Sequence, residues 1–301
     1  MHKSTIFFAL TTIAFAGTTA AIGWQLWNER HPSPQPAVSG AVSAHVPISI
    51  PRSEQSNPRF TAHSALLYDT KQGKVIYEQN GFEKLPIASI TKLMTAMVAL
   101  DHGIPWDQEA GILPDEYVQG GKLMLFQGET VTMRDLFNVS LLGSANNATL
   151  AYVRGLNIDE QEFIQAMNRK AVEIGLEQTN FVEVTGLNPK NTSTAYDVAR
   201  LASHAFSHYP EIAKATSQPE YVFAAKGSGR EHAVKNTNKL ISGGNQQASG
   251  SKTGYLYEAG YCLVVQGTGE TAGLLAVVLN SPSEPEHFAD ITRLLRLPAN
   301  F

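Results

Sequence analysis

The sequence predicts an α+β fold: one antiparallel sheet made of N- and C-terminal strands, covered by helices, with a mainly helical lobe inserted between them. Three observations carry this. Strand-like alternation of apolar and polar residues occurs near residue 64, and long apolar runs return only after residue 248. The stretch of about 103–215 is mostly helical in period. No internal repeat interrupts the order.

The chain opens with an export element. From Ser4 to Trp27 there is no charged residue, Lys3 precedes the stretch, and Trp24 and Trp27 fall where an interfacial aromatic belt would lie. A bilayer core needs ~20 apolar helical residues, so residues 1–27 are read as a signal-anchor or a cleaved signal peptide. Either sends the rest of the chain out of the cytoplasm, and the anchor form makes the membrane a partner. Residues 28–58 are rich in Pro, Ser, Ala and Val, including Pro32, Pro34, Pro36, Pro47, Pro51 and Pro58, which reads as a linker. Residues 59–301 are then the catalytic domain.

Within that domain, Ser64–Asp69 and Lys74–Gln79 read as strands joined by the turn Thr70-Lys71-Gln72-Gly73. A helix follows from Ser89, with apolar residues at 90, 93, 94, 97 and 98 forming a buried face. Thr132 and Asp135 resemble a capping box ahead of Met133, Leu136, Phe137, Leu141 and Leu142, and Gly143 closes that helix. Further helices are predicted near 159–174 and 194–207. Strands are predicted at Ser249–Leu256, Ala259–Thr268 and Thr271–Ser281, and Pro282 opens a last helix carrying Phe288, Ile291, Leu294 and Leu295.

Net charge is −4 and no basic cluster is interleaved with aromatics, so nucleic acid is not an expected partner. The single cysteine, Cys262, excludes a disulfide scaffold and reads as a buried strand residue. His204 and His208 are spaced like a metal pair, but no Glu follows the first and no third ligand is evident. No metal and no cofactor are expected. Gly227-Ser228-Gly229 lacks the ending of a phosphate loop and reads as a surface loop.

Three short segments carry chemistry together. Lys92 is the only charged residue between Ala88 and Leu100. Desolvation lowers the pKa of such an amine, as a general base requires. It lies three residues after Ser89, one turn away on the same helix face. At a helix start the Ser89 amide lacks an intrahelical acceptor and can face a developing oxyanion. Ser144 and Asn146 follow helix-breaking Gly143 and are placed on a turn facing a cleft. A second hydroxyl there can relay a proton to a leaving amine, and the Asn146 amide can hold a substrate peptide group. Lys252 and Thr253 open a strand and offer a cation and a hydroxyl to a carboxylate; Gly254 permits close backbone approach, and the Tyr255 amide is a second oxyanion donor. Taken singly, these are an N-cap serine, a helix cap and a strand-edge lysine. Their order makes the coincidence improbable.

The triple Ser89-Ile90-Thr91-Lys92, Ser144-Ala145-Asn146 and Lys252-Thr253-Gly254 resembles that of the low-molecular-mass penicillin-binding proteins, the serine D-alanyl-D-alanine carboxypeptidases and endopeptidases, within the DD-peptidase/β-lactamase-like fold. The likeness spans roughly Ala62 to Arg293 and includes Leu85-Pro86-Ile87-Ala88, Phe181-Val182-Glu183, Thr185-Gly186-Leu187, Asn236-Thr237-Asn238 and Ala259-Gly260-Tyr261-Cys262. The resemblance implies Ser89 as acylated nucleophile, Lys92 as its base, Ser144 as proton relay, Asn146 as substrate clamp, and Lys252 with Thr253 as carboxylate site. It implies peptidoglycan stem peptides as substrate, β-lactam antibiotics as covalent inhibitors, and action in the periplasm or on the outer face of the bacterial cytoplasmic membrane. Ala145 stands where many members carry Gly or Asp. The absence of an extra C-terminal β-domain makes the chain similar to the shorter, endopeptidase-type members. Two alternatives remain: a β-lactamase, whose deacylating base would be Glu183 with Asn188 at a poor spacing, and a catalytically silent peptidoglycan-binding protein.

Overall fold

The computed structural model describes residues 59–243 and 248–298. The expected signal-anchor or signal-peptide segment and the whole of the linker lie outside them, and no helix among the described residues is long and apolar enough to cross a membrane.

The N-terminal hairpin consists of β1 (Ser64–Asp69) and β2 (Lys74–Gln79), as the alternation predicts. A single turn of 3-10 helix, Ala88–Ile90, leads into α1 (Thr91–Asp101). The lobe that follows holds α2 (Met133–Leu142), α3 (Asn146–Gly155), α4 (Glu160–Glu173), α5 (Ala195–His208) and α6 (Pro210–Ser217). A hairpin of β3 (Glu220–Ala224) and β4 (Glu231–Lys235) comes next, then β5 (Ala248–Leu256), β6 (Gly260–Gly267), β7 (Leu274–Ser281) and α7 (Glu284–Leu294). The main sheet has the order β2-β1-β7-β6-β5 and is antiparallel throughout. N-terminal strands therefore pair directly with C-terminal ones, and β5 is left as an edge.

Both faces of this sheet are covered, which explains why β6 and β7 read as continuous apolar runs rather than alternating ones. Side chains still alternate between two cores. Cys262, Val264, Leu275, Val277 and Leu279 join the large core shared with α1 and the helical lobe. Leu263, Val265, Ala276 and Val278 join a smaller core with Ile291 and Leu294 of α7. Burial of one medium-sized apolar side chain contributes ~1.5–3 kcal/mol, so the two cores hold β6 and β7, and the ladder to β6 sets the position of β5.

Several elements differ from the sequence reading. The 103–131 stretch holds no α-helix, because Gly103, Pro105, Gly111, Pro114, Gly120, Gly121 and Gly128 interrupt any helical period. The β3–β4 hairpin is not predicted by the sequence; its half-exposed, mixed composition gives no clear apolar alternation, and Gly227-Ser228-Gly229 is its turn. Residues Gly269–Thr271 form a 3-10 turn, so β7 starts three residues later than expected. The last helix begins at Glu284, not Pro282, because Ser283 is its cap and accepts from the Glu286 amide. Finally, α1 is buried on every side from Thr91 to Ala99, not along one face.

Candidate active site

The three motifs converge on a cleft of about 470 Å³ lined by Ser89, Ser144, Asn146, Thr253, Gly254 and Tyr255, among others. Each arrives on a different element. Ser89 sits in the 3-10 turn that starts the buried helix, Ser144 in the break between α2 and α3, and Lys252 to Tyr255 on the edge strand.

The buried Lys92 amine is held by three acceptors: Ser89 Oγ at 2.9 Å, Asn146 Oδ1 at 2.6 Å and the Thr185 carbonyl at 2.6 Å. Burial pulls its pKa down to about 7, against the opposing pull of the Glu183 charge. At neutral pH a substantial fraction of Lys92 is therefore free amine in contact with the Ser89 hydroxyl. The expected helix-face pairing of Ser89 and Lys92 is present.

Lys252 donates to Ser144 Oγ at 2.8 Å and to its neighbour's carbonyl, Thr253 O, at 3.0 Å. Its pKa is also held well down, first by burial and then by the Lys92 charge. Each of the two serines thus contacts its own buried lysine, Ser89 with Lys92 and Ser144 with Lys252. Ser144 adopts a left-handed φ of 56°, which turns its hydroxyl out of the α2 line. Asn146 does not lie on that turn: it is the first residue of α3. Its backbone amide donates to Gly121 O at 2.8 Å and its side-chain amide to Gln119 O at 2.6 Å, tying the 119–121 loop over the cleft.

Thr253 Oγ1 is 2.6 Å from Thr237 Oγ1, a pairing to which the Asn236-Thr237-Asn238 segment gives no clue beyond its resemblance. The strand register places Gly254 opposite Cys262 and Tyr255 opposite Tyr261. Gly254 has a second reason to be glycine: a Cβ there would lie 3.0 Å from the Ser89 amide nitrogen and 3.1 Å from Ile87 O. Gly186, for which the sequence suggests no role, presses on the same place. Its φ is 89°, and a Cβ would collide with Ala88 O and lie 2.8 Å from the Ser89 nitrogen. The Ser89 backbone is thus clamped between two glycines from distant parts of the chain. Only a three-dimensional contact could reveal this.

The remaining sequence signals have structural roles. Cys262 is buried, with its thiol pKa pushed up to about 12 by desolvation, which leaves it inert as a nucleophile. His204 and His208 stack at 4.2 Å, and among the described residues no group of three or more His, Cys, Asp or Glu is placed to hold a metal. The Glu183 carboxylate accepts from the Thr185 amide and hydroxyl and from the Gly186 amide at 2.5–2.6 Å, and from Asn191 Nδ2 at 2.8 Å. Its lone pairs are engaged by its own loop, so it is not set up as the base that a β-lactamase would use to activate water.

A serine hydroxyl in contact with a buried lysine amine, beside a second serine–lysine pair at an edge strand, is the arrangement of a class of acyl-transfer enzyme. Comparison with known proteins agrees. Residues 52–283 match the family described as D-alanyl-D-alanine carboxypeptidase. A D-alanyl-D-alanine endopeptidase of Pseudomonas aeruginosa is 36% identical over 86% of this chain and 84% of its own length, and one of Escherichia coli is 33% identical over 79% and 77%. Among solved structures, a Listeria monocytogenes penicillin-binding protein with bound ampicillin is similar at TM-score 0.68, with 31% identity over 80% of this chain and 98% of that one. A Streptomyces DD-transpeptidase is similar at TM-score 0.72, with 28% identity over 80% and 98%. The chain belongs to this family of serine D-alanyl-D-alanine peptidases.

Proposed function

We propose that the protein cleaves D-Ala-containing peptidoglycan stem peptides outside the cytoplasm through an acyl-enzyme on Ser89. The observation that carries this reading is the 2.9 Å contact between Ser89 Oγ and a lysine amine whose pKa lies near 7. In the proposed reaction Lys92 takes the Ser89 proton as Oγ attacks the D-Ala carbonyl of the scissile bond. The oxyanion is received by the amides of Ser89 and Tyr255, the second on the open edge of the sheet. Ser144, bonded to Lys252, returns a proton to the departing amine. Water then hydrolyses the ester and frees Ser89.

Lys252 and Thr253 form the proposed carboxylate site. Burial depresses the Lys252 pKa in the free enzyme, and an arriving carboxylate favours its charged form, so binding would itself restore the cation. A hydrogen bond to a charged group contributes ~1.5–3 kcal/mol. Thr253→Val is therefore expected to lower kcat/KM on free-acid peptides ~10-fold or more, with a smaller effect on C-terminally amidated ones. Equal losses on both peptides would remove Thr253 from carboxylate recognition.

The endopeptidase reading is favoured by the length match to the two endopeptidases, 84% and 77% of which align. Digestion of purified muropeptides tests both levels. Cleaved cross-links are expected as the main product; free D-Ala alone would assign a carboxypeptidase, and neither product would contradict the peptidase reading. The N-terminal segment is proposed to deliver the domain to the periplasm or the outer face of the cytoplasmic membrane, as anchor or signal peptide.

A further inference from the structure

Glu183 is the most heavily bonded carboxylate near the site, yet neither the nucleophile nor the proton relay uses it directly. Besides the short contacts to Thr185, Gly186 and Asn191, it accepts a longer one from the Asn188 amide at 3.4 Å. These donors belong to one loop, residues 183–191, which folds around the carboxylate. The loop touches the catalytic residues at three places. Thr185 O accepts the Lys92 amine at 2.6 Å, Gly186 seats on the Ala88–Ser89 peptide, and Asn191 Nδ2 donates to Thr91 Oγ1 at 3.2 Å. The loop thus grips residues 88, 89, 91 and 92 in succession.

We propose that Glu183 is a positioning residue for acylation: its carboxylate folds the 183–191 loop onto the start of the nucleophile helix and places a negative charge in the same loop whose Thr185 carbonyl accepts the Lys92 amine. This rests on the acyl-enzyme reading above and assigns it a residue that touches neither substrate nor nucleophile. Two ionisable groups act on Lys92. Glu183, from the loop, favours its protonated form, while Lys252, from β5, is coupled to it by like-charge repulsion. The other partners, Ser89, Asn146 and the Thr185 carbonyl, are neutral. Loss of the Glu183 charge therefore leaves the amine easier to deprotonate and less basic. A residue that only folded the loop would lower the rate without moving that proton balance.

The test is the second-order rate of Ser89 acylation by a β-lactam, followed from pH 5 to 9. In Glu183→Gln the neutral amide turns two N–H donors toward backbone donors, so the loop loosens as the charge is lost. Acylation near neutral pH is expected to fall ~10-fold or more, with the acid limb of the profile moved to lower pH by about half a unit or more. Glu183→Asp, which keeps the charge, is expected to return the limb to its wild-type position. A wild-type rate in Glu183→Gln, or a lower rate with an unmoved limb, overturns the proposal. Should Glu183→Gln not fold, Thr185→Val removes the hydroxyl's two contacts, to the Glu183 carboxylate and from the Leu187 amide, and no charge; it should slow acylation and leave the limb in place, and an unchanged rate or a shifted limb overturns the proposal. Failure of the wild type to acylate at all would instead strike the acyl-enzyme reading.

Discussion

Ser89→Ala is expected to abolish both peptide cleavage and labelling by a fluorescent penicillin, with a loss of up to ~10⁶ in kcat, the magnitude that removal of a serine nucleophile produces. The fold should survive. Ser89 lies in a 3-10 turn that has no side-chain cap hydrogen bond, so its hydroxyl does not hold the helix start in place. The substitution breaks the hydrogen bond from the Lys92 amine to Ser89 Oγ, and that amine keeps Asn146 Oδ1 and Thr185 O as acceptors. Thermal unfolding and circular dichroism close to wild type, together with absent labelling, are the expected pair of results. Retained turnover would place the nucleophile elsewhere.

Lys92→Met should have the next largest effect. It removes the only amine in contact with Ser89 Oγ among the described hydrogen bonds, and general-base assistance of this kind is worth ~10²–10⁴ in rate. The wild-type pH dependence follows from the same group. Only the unprotonated amine can accept the Ser89 proton, so acylation is expected to rise with pH and level off above the Lys92 pKa of about 7. Lys92→Met should lose that acid limb along with the rate. A limb that survives in the variant would assign the titration to another group.

Much of this is legible in the sequence because it depends on local spacing. Lys92 follows Ser89 by one helical turn, and a lone charge in an apolar stretch signals both burial and a depressed pKa. The hairpin of β1 and β2 is set by alternation, and the order of elements makes the mixed N- and C-terminal sheet the economical arrangement. What escapes a sequence reading is what depends on contacts between distant residues. Gly186 and Gly254 carry no mark in their own neighbourhoods showing that each must clear the Ser89 backbone. The Thr237–Thr253 hydroxyl pair joins residues sixteen positions apart, and the Thr185 carbonyl is a backbone atom that no side-chain motif encodes. Glu183 is a candidate base for water by residue type alone. Its hydrogen bonds assign it to the loop instead. The helical period expected from residue 103 onward fails because glycine and proline outweigh apolar spacing there.

The central claim is that Ser89 forms a covalent acyl-enzyme with help from Lys92, in a site where the Glu183 carboxylate is engaged by its own loop and not placed for fast release of a bulky adduct. Mixing the protein with excess penicillin, following the antibiotic's absorbance and mapping the adduct by peptide mass spectrometry tests it most directly. The account predicts a burst of one equivalent, slow decay afterwards, and the adduct on the peptide containing Ser89. An adduct on another residue, no adduct at all, or sustained hydrolysis at ~10 s⁻¹ or faster, an ordinary enzymatic rate, would contradict it.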